Sequence, residues 1–374
     1  MELSGGGAKI AYQLDDSVAV ACFPEPIIRR FAEDALHALG ATDEEARITA
    51  DGLVTACLWW HPGQGQGLEK LFRYARRVRN GGIVPAADMR WTCERSAAAL
   101  LDAAKGFGYV AAHRAMARAT QKARGSGIAM VAVRHSNHFG IAGYHALQAA
   151  TAGLIGIAQT NAGAEMAPWG SAKPVLGTNP WGVAIPRGGG HDPIVLDMAL
   201  TQSGKGMMRW LERAGLAMPD HWALTPDGHR TTDPAAAMDG PLLPVGEHKG
   251  YGLSLVTDVL TGVLTGSLFG CSVFQDDRNY DVGHTMIAID PVVFLQRAEF
   301  EARLERLIDE VKSAPPIDSD RPVMLPGETE QETARQRMRD GIPIDKQTVV
   351  GLAGLAKELG ISFPLNDQCT ESHG

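Results

Sequence analysis

The residues able to do chemistry fall in four stretches. The first is WWHPGQGQGLEK (Trp59–Lys70), where Gly63, Gly65 and Gly67 stand between His61 and Lys70. A histidine can exchange a proton near neutral pH, and a lysine can hold an anion as a point charge. A dinucleotide fingerprint would need GxGxxG after a strand, and a phosphate loop would need GxxxxGK followed by Ser or Thr; neither is present. His-Pro-Gly also reads as a plain helix-terminating turn. The second stretch, RHSNHFGIAGYHA (Arg134–Ala146), follows an apolar run and opens a helix. His138 therefore sits near a helix N-terminus, where free backbone N–H groups favour an anion, or else it caps that helix. His135 and His138 resemble a metal pair but lack a third clustered ligand, so no metal site is expected. The third, TNAGAEMAPWGSAKPVLGTNPWGVAIP (Thr160–Pro186), holds two Thr-Asn pairs, each after an apolar run. Such pairs can bind a ligand or simply end strands, and on these residues alone the turn reading is favoured. The fourth is PVGEHKGYGLSLVTDVLTG (Pro244–Gly262). His248 and Lys249 start a helix whose Leu253, Val256, Leu260 and Val263 are expected to face a core. A lysine there opposes the helix macrodipole, which suggests a ligand-facing role.

The elements that must position these residues are readable in outline. In ATDEEARITADGLVTACLWW, Thr42 followed by Glu45 forms a capping box, with Ala46, Ile48, Ala50, Leu53 and Ala56 at roughly helical spacing. A second helix is expected from Leu68 to about Arg79, so the glycine stretch joins two helices. From Ala98 the texture changes to strands AALLDA, IAMVAVR, LIGIAQT, WGVAIP and PIVLDM around an alanine-rich helix, Gly106–Ser126. Ala98 to Pro244 is expected to be a mixed α/β domain. After it come a helix over Lys249–Phe269, a strand TMIAID (Thr285–Asp290), a charged helix near Pro291–Ser313 and further helix. The N- and C-terminal parts are expected to pack together, residues 1–97 with 245–374, as a substrate and dimerisation domain with the middle inserted.

The chain has 374 residues, 45% hydrophobic and 21% charged, the balance of a folded globular protein. A net charge of −8 gives no overall field toward nucleic acid or an anionic membrane, so neither partner is expected. The five cysteines, Cys22, Cys57, Cys93, Cys271 and Cys369, are scattered and odd in number, which fits a reducing compartment. The N-terminal MELSGGGAKIAYQLDD has no apolar signal segment, and a cytoplasmic protein is expected.

Four motifs in order, SNHFGIAGYHA, GTNPWGVAIP, LDMAL and EHKGYGL, resemble the malate/L-lactate dehydrogenase family of NAD(P)-dependent oxidoreductases. TPDGHRTTDP and LPGETEQ with GIPI extend the likeness to roughly Ala35–Leu355. The resemblance implies a non-Rossmann α/β fold, with a mixed-sheet nicotinamide-binding domain inserted between helical N- and C-terminal parts. It implies a homodimer with its site near domain and subunit boundaries. It also implies hydride transfer at the carbon α to a carboxylate, interconverting a small 2-hydroxy acid and its 2-oxo acid. Cofactor contact carries over to His138, Phe139, Gly140, Thr178, Asp197, His248, Lys249 and the region of Gly327. Glu328 and Glu330 would repel a 2′-phosphate, a lean toward NAD over NADP.

The glycine stretch departs from the family pattern of Ser-His-Gly followed by Arg. Gly65-Gln66-Gly67 stands on the first three positions and Lys70 on the arginine, and the acid that usually follows LDM is replaced by SGKGMM. On this reading the loop is a remodelled catalytic loop. His61 or His138 then supplies the proton, Lys70 binds the carboxylate, and Gln66 hydrogen-bonds the substrate oxygen without donating a proton. The alternatives are reduction of a cyclic imine carboxylate, which asks less of a general acid, and a catalytically silent cofactor-binding protein.

Overall fold

The computed structural model describes residues 19–59, 64–276, 278 and 280–364. Strand β1 (Ala19–Phe23) leads into helices α1 (Glu25–Ala38), α2 (Asp43–Trp59) and α3 (Lys70–Arg79). The predicted capping box exists: Thr42 N–H donates to Glu45 Oε2 (3.0 Å) and Glu45 N–H to Thr42 Oγ1 (3.3 Å). All five apolar positions named for α2 are buried.

Next come β2 (Arg90–Glu94), β3 (Ala98–Asp102), α4 (Gly108–Ser126), β4 (Ile128–Ser136), α5 (Ala142–Thr151), β5 (Ile155–Thr160), β6 (Trp181–Ile185) and β7 (Ile194–Met198). Helices α6 (Lys205–Ala214), α7 (Pro234–Ala237) and α8 (His248–Asp258) precede β8 (Val282–Ile289), and α9 (Arg297–Lys312), α10 (Glu328–Asp340), β9 (Ile342–Asp345) and α11 (Lys346–Leu359) complete the chain. Seven strands form one mixed sheet in the order β2-β3-β4-β8-β5-β6-β7. Only β3 and β4 are parallel, joined by α4 as a crossover; every other pair is antiparallel. This is not the parallel doubly wound sheet of a Rossmann fold. Strand β8 lies between β4 and β5, and β2 forms one edge, so the sheet draws strands from outside Ala98–Pro244.

The sheet's core is built from small side chains: alternate residues Ala129, Val131 and Val133 of β4 meet the alanines of α4 and α5. A second core joins the two ends of the chain. Phe23, Phe31, Leu53, Leu71 and Tyr74 pack with Ile342, Leu352 and Leu355, and β1 pairs antiparallel with β9. Helical N- and C-terminal parts thus flank the mixed sheet, as expected. Among the described residues no helix is long and apolar enough to cross a membrane.

Helix α8 departs from expectation twice. It gives way at Val259–Val263 to a single π-helical turn, well short of Phe269. Leu253, Val256 and Val263 are exposed rather than facing a core. The buried face carries Gly250, Ser254, Thr257, Thr261 and Thr265 instead. Small hydroxyl residues let the helix lie close on the protein, and their polarity is met locally. Thr257, Thr261 and Thr265 donate to the carbonyls of Leu253, Thr257 and Thr261, one turn back, at 2.6–2.8 Å.

Candidate active site

Helix α3 buries Leu71, Tyr74 and Ala75 against the terminal core. Lys70 and Arg73, one turn apart, face a cavity of about 140 Å³. It is also lined by Thr160 and Asn161 at the end of β5, His138–Gly140 between β4 and α5, and Thr178 and Pro180 ahead of β6. Phe274, Tyr280 and Val282 close it from the segment that enters β8.

The cavity gathers six of the residues expected at the site: Gln66, Lys70, His138, Phe139, Gly140 and Thr178. Burial, reinforced by the like charge of Arg73, pushes the Lys70 ammonium down to about 8. Burial first, then the charges of Lys70, Arg73 and Arg77, hold the His138 imidazole well below its usual range, so the ring is neutral at physiological pH. Its Nδ1 lies 3.0 Å from the Tyr74 hydroxyl; with the phenol donating, the ring hydrogen sits on Nε2. Gln66 Oε1 is buried with no hydrogen-bond partner among the described residues.

Buried groups beneath the cavity fix its walls. The His145 Nε2–H donates to the Phe139 carbonyl at 2.7 Å, holding the His138–Gly140 turn. His284 stacks on Phe139, with ring centroids 4.8 Å apart, and bridges Thr160 Oγ1 and Ser136 Oγ at 2.8 Å each. Burial pushes both histidines down to about 3, so these networks carry no charge. The two Thr-Asn pairs divide their work. Asn161 donates to the Leu268 carbonyl and accepts from Gly283 N–H. Asn179 donates to Ser254 and accepts from Ala162 N–H. Both asparagines tie strand ends to neighbouring segments, while both threonines border the cavity.

Asp197 and Gly327 lie together elsewhere, in a narrow cleft with Trp59, Val195, Glu330 and Gln331. Glu328 is turned to other work, accepting from Leu325 N–H at 2.8 Å and pairing with Lys312. His248 and Lys249 are exposed in the first turn of α8 and border neither cleft. His61 lies outside the described residues.

Sequence reasoning missed Arg73, Phe274 and Tyr280. Arg73 was recoverable, because i,i+3 spacing from Lys70 puts it on the same helical face. The two aromatics come from an irregular segment without periodicity. Beside the cavity, Lys70 and Arg73 also border a groove of about 330 Å³ that includes Arg209 and Arg213 of α6.

Residues 24–353 match the family model described as malate/L-lactate dehydrogenase. The chain is 36% identical over 347 residues to a malate dehydrogenase of Pyrococcus abyssi, covering 90% of this chain and 95% of that one. It is 38% identical over 283 residues to a (2R)-3-sulfolactate dehydrogenase (NADP(+)) of Chromohalobacter salexigens, covering 73% and 84%. The solved structure of a sulfolactate dehydrogenase from Methanocaldococcus jannaschii superposes with a TM-score of 0.84 at 34% identity, over 91% of this chain and 98% of that one.

Proposed function

The chain belongs to the malate/L-lactate dehydrogenase family, and from that membership we propose an NAD(P)-dependent dehydrogenase that interconverts a small acidic 2-hydroxy acid and its 2-oxo acid. The observation that carries this reading is the cavity itself, which gathers two cations, Lys70 and Arg73, with Thr160, Thr178 and His138. A 2-oxo acid has one anionic end to be gripped and one carbonyl to be reduced. Malate and sulfolactate, which give the relatives above their names, each carry a second acidic group, and two cations offer one to each. Those relatives do not favour imine reduction or silent cofactor binding.

The cavity is smaller than the roughly 300–1,000 Å³ pockets typical of larger ligands, and suits one ring or one small acid rather than a whole dinucleotide. The unused acceptor at Gln66 Oε1 fits a carboxamide N–H. We therefore assign the nicotinamide end to His138, Phe139, Gly140 and Thr178, and the far end to Asp197 and Gly327. Bound there, the reduced cofactor supplies a hydride to the carbon bearing the oxygen. Lys70 and Arg73 hold the carboxylate so that this carbon faces the ring. Titration with NADH and NADPH, followed by nicotinamide fluorescence, tests the assignment; binding of neither removes it.

Asp197 and Glu330 line the narrow cleft, and two carboxylates there disfavour a 2′-phosphate. We accordingly read NAD as the preferred cofactor. Glu330→Arg is expected to move the ratio of NADH to NADPH dissociation constants toward NADPH by about tenfold, on the order of 1.4 kcal/mol. An unmoved ratio would place the 2′-position elsewhere.

The exposed apolar face of α8 and its π turn, with Val256, Val259, Val263 and Leu264 each at least 45% exposed, continues to Phe269. A contiguous face of this kind on a helix whose polar side is already buried calls for a cover. We propose a second copy of the chain, in keeping with the homodimer that the family resemblance implies. Val256→Asp is expected to yield monomers in sedimentation velocity; a wild-type protein that is itself monomeric at micromolar concentration would contradict this.

A further inference from the structure

We propose that the Tyr280 hydroxyl donates the proton to the substrate oxygen, an assignment that rests on the dehydrogenase reading above. Tyr280 is only 5% exposed, borders the cavity alongside Lys70, Arg73 and His138, and its hydroxyl oxygen accepts a side-chain hydrogen bond from Arg77. A guanidinium can only donate, so Arg77 occupies the oxygen's acceptor side and the Tyr280 O–H is left as a donor at the cavity wall.

The ring is held firmly enough to aim that hydroxyl. Phe274 stacks on it, with centroids 3.7 Å apart and an interplanar angle of 15°. The guanidinium carbon of the fully buried Arg77 lies 2.9 Å from the ring centroid, and two such contacts fit only on opposite faces. Gly163 makes room for the stack, since a Cβ there would fall 2.4 Å from the Phe274 ring.

The other groups are less suited to the task. Gln66 offers only an amide, which gives up no proton. His138 is neutral and engaged with Tyr74 through Nδ1. Lys70 and Arg73 are committed to the carboxylate. Burial pushes the Tyr280 phenol up to about 12, against the pull of Arg77, so the hydroxyl keeps its proton until the reaction draws it away. A guanidinium against the ring face then favours the tyrosinate that forms.

In the reductive direction, carbon 2 of the oxo acid gains a C–H bond from the hydride of the reduced nicotinamide. The C=O π pair moves onto oxygen, and the Tyr280 O–H bond breaks as its proton joins that oxygen. The oxo acid is reduced, the nicotinamide oxidised, and water reprotonates the tyrosinate. Oxidation of the hydroxy acid runs the same path backward.

Tyr280→Phe keeps the ring and both of its stacking contacts and removes only the O–H. The variant is expected to lose about 10²-fold or more in kcat with an unchanged dissociation constant for the reduced cofactor. Calorimetric affinity for oxamate, an unreactive 2-oxo acid mimic, should fall about tenfold. Turnover and oxamate binding both within twofold of an active wild type would overturn the Tyr280 assignment alone. A wild-type protein that neither turns over nor binds oxamate would overturn the dehydrogenase reading, and the assignment with it.

Discussion

Lys70→Ala is expected to lower kcat/KM for a 2-oxo acid by about 10²-fold, mostly through KM. The ammonium is half buried at the head of α3 and faces the cavity beside Arg73, so the substrate carboxylate would meet it with little water between. Truncating one partner of such a pair leaves the other charge without its counter-ion, which is the larger part of the cost. Lys70→Arg should recover most of the loss, because a guanidinium forks onto a carboxylate and stays charged at every accessible pH. The pH profile separates the two side chains. Burial and Arg73 bring Lys70 down to about 8, so the residue is charged below that pH and neutral above it. Wild-type kcat/KM should therefore fall as pH rises through about 8, whereas the arginine variant should lack that break. An alanine variant as active as wild type would remove Lys70 from carboxylate binding.

The second large effect is on stability. Gly140 sits at φ +81°, and a Cβ added there would lie 1.7 Å from the hydroxyl of Tyr109. Tyr109 is fully buried against Tyr144 and His145, so it has no room to retreat. Gly140→Ala should cost about 2–4 kcal/mol, combining overpacking with left-handed strain, and should disturb the His138–Gly140 turn enough to weaken cofactor binding. Gly170→Ala provides the control. Gly170 has φ +87° but nothing within 4 Å of the point where a Cβ would stand, so only the backbone strain of about 1–2 kcal/mol remains. Urea denaturation of the two variants measures the difference. Equal losses would mean that the Tyr109 contact carries no weight.

The elements were legible where one pattern ruled the segment. The apolar run of β4, the alanine-rich stretch of α4 and the Thr42–Glu45 box each carry one dominant local signal, and each element is found. Helix α8 misled because apolar residues at helical spacing imply burial only when one neighbour decides the matter. Here the protein takes the side with Ser254, whose hydroxyl donates to the Gly177 carbonyl, and with Thr257 and Thr261, whose hydroxyls are satisfied one turn back, and leaves the valines outward. Within the site, the strand-end positions His138 and Thr178 were legible from ordered motifs. Arg73 was hidden in LFRYARRVR, where it reads as one more surface cation. Tyr280 was hidden because its place depends on Arg77 and Phe274, two partners that only the folded chain brings to its ring.

The function proposed for this cavity is reduction of a small acidic 2-oxo acid at the expense of a nicotinamide cofactor. The most direct test follows absorbance at 340 nm (the reduced-nicotinamide band) with NADH or NADPH and a panel of oxaloacetate, sulfopyruvate, pyruvate and a cyclic imine carboxylate. Oxidation of the reduced cofactor is expected with one or more of the oxo acids, fastest with those bearing a second acidic group, and its kcat/KM should fall about 10²-fold in Lys70→Ala. Turnover confined to the cyclic imine, or none with any oxo acid while the cofactor still binds, would contradict it.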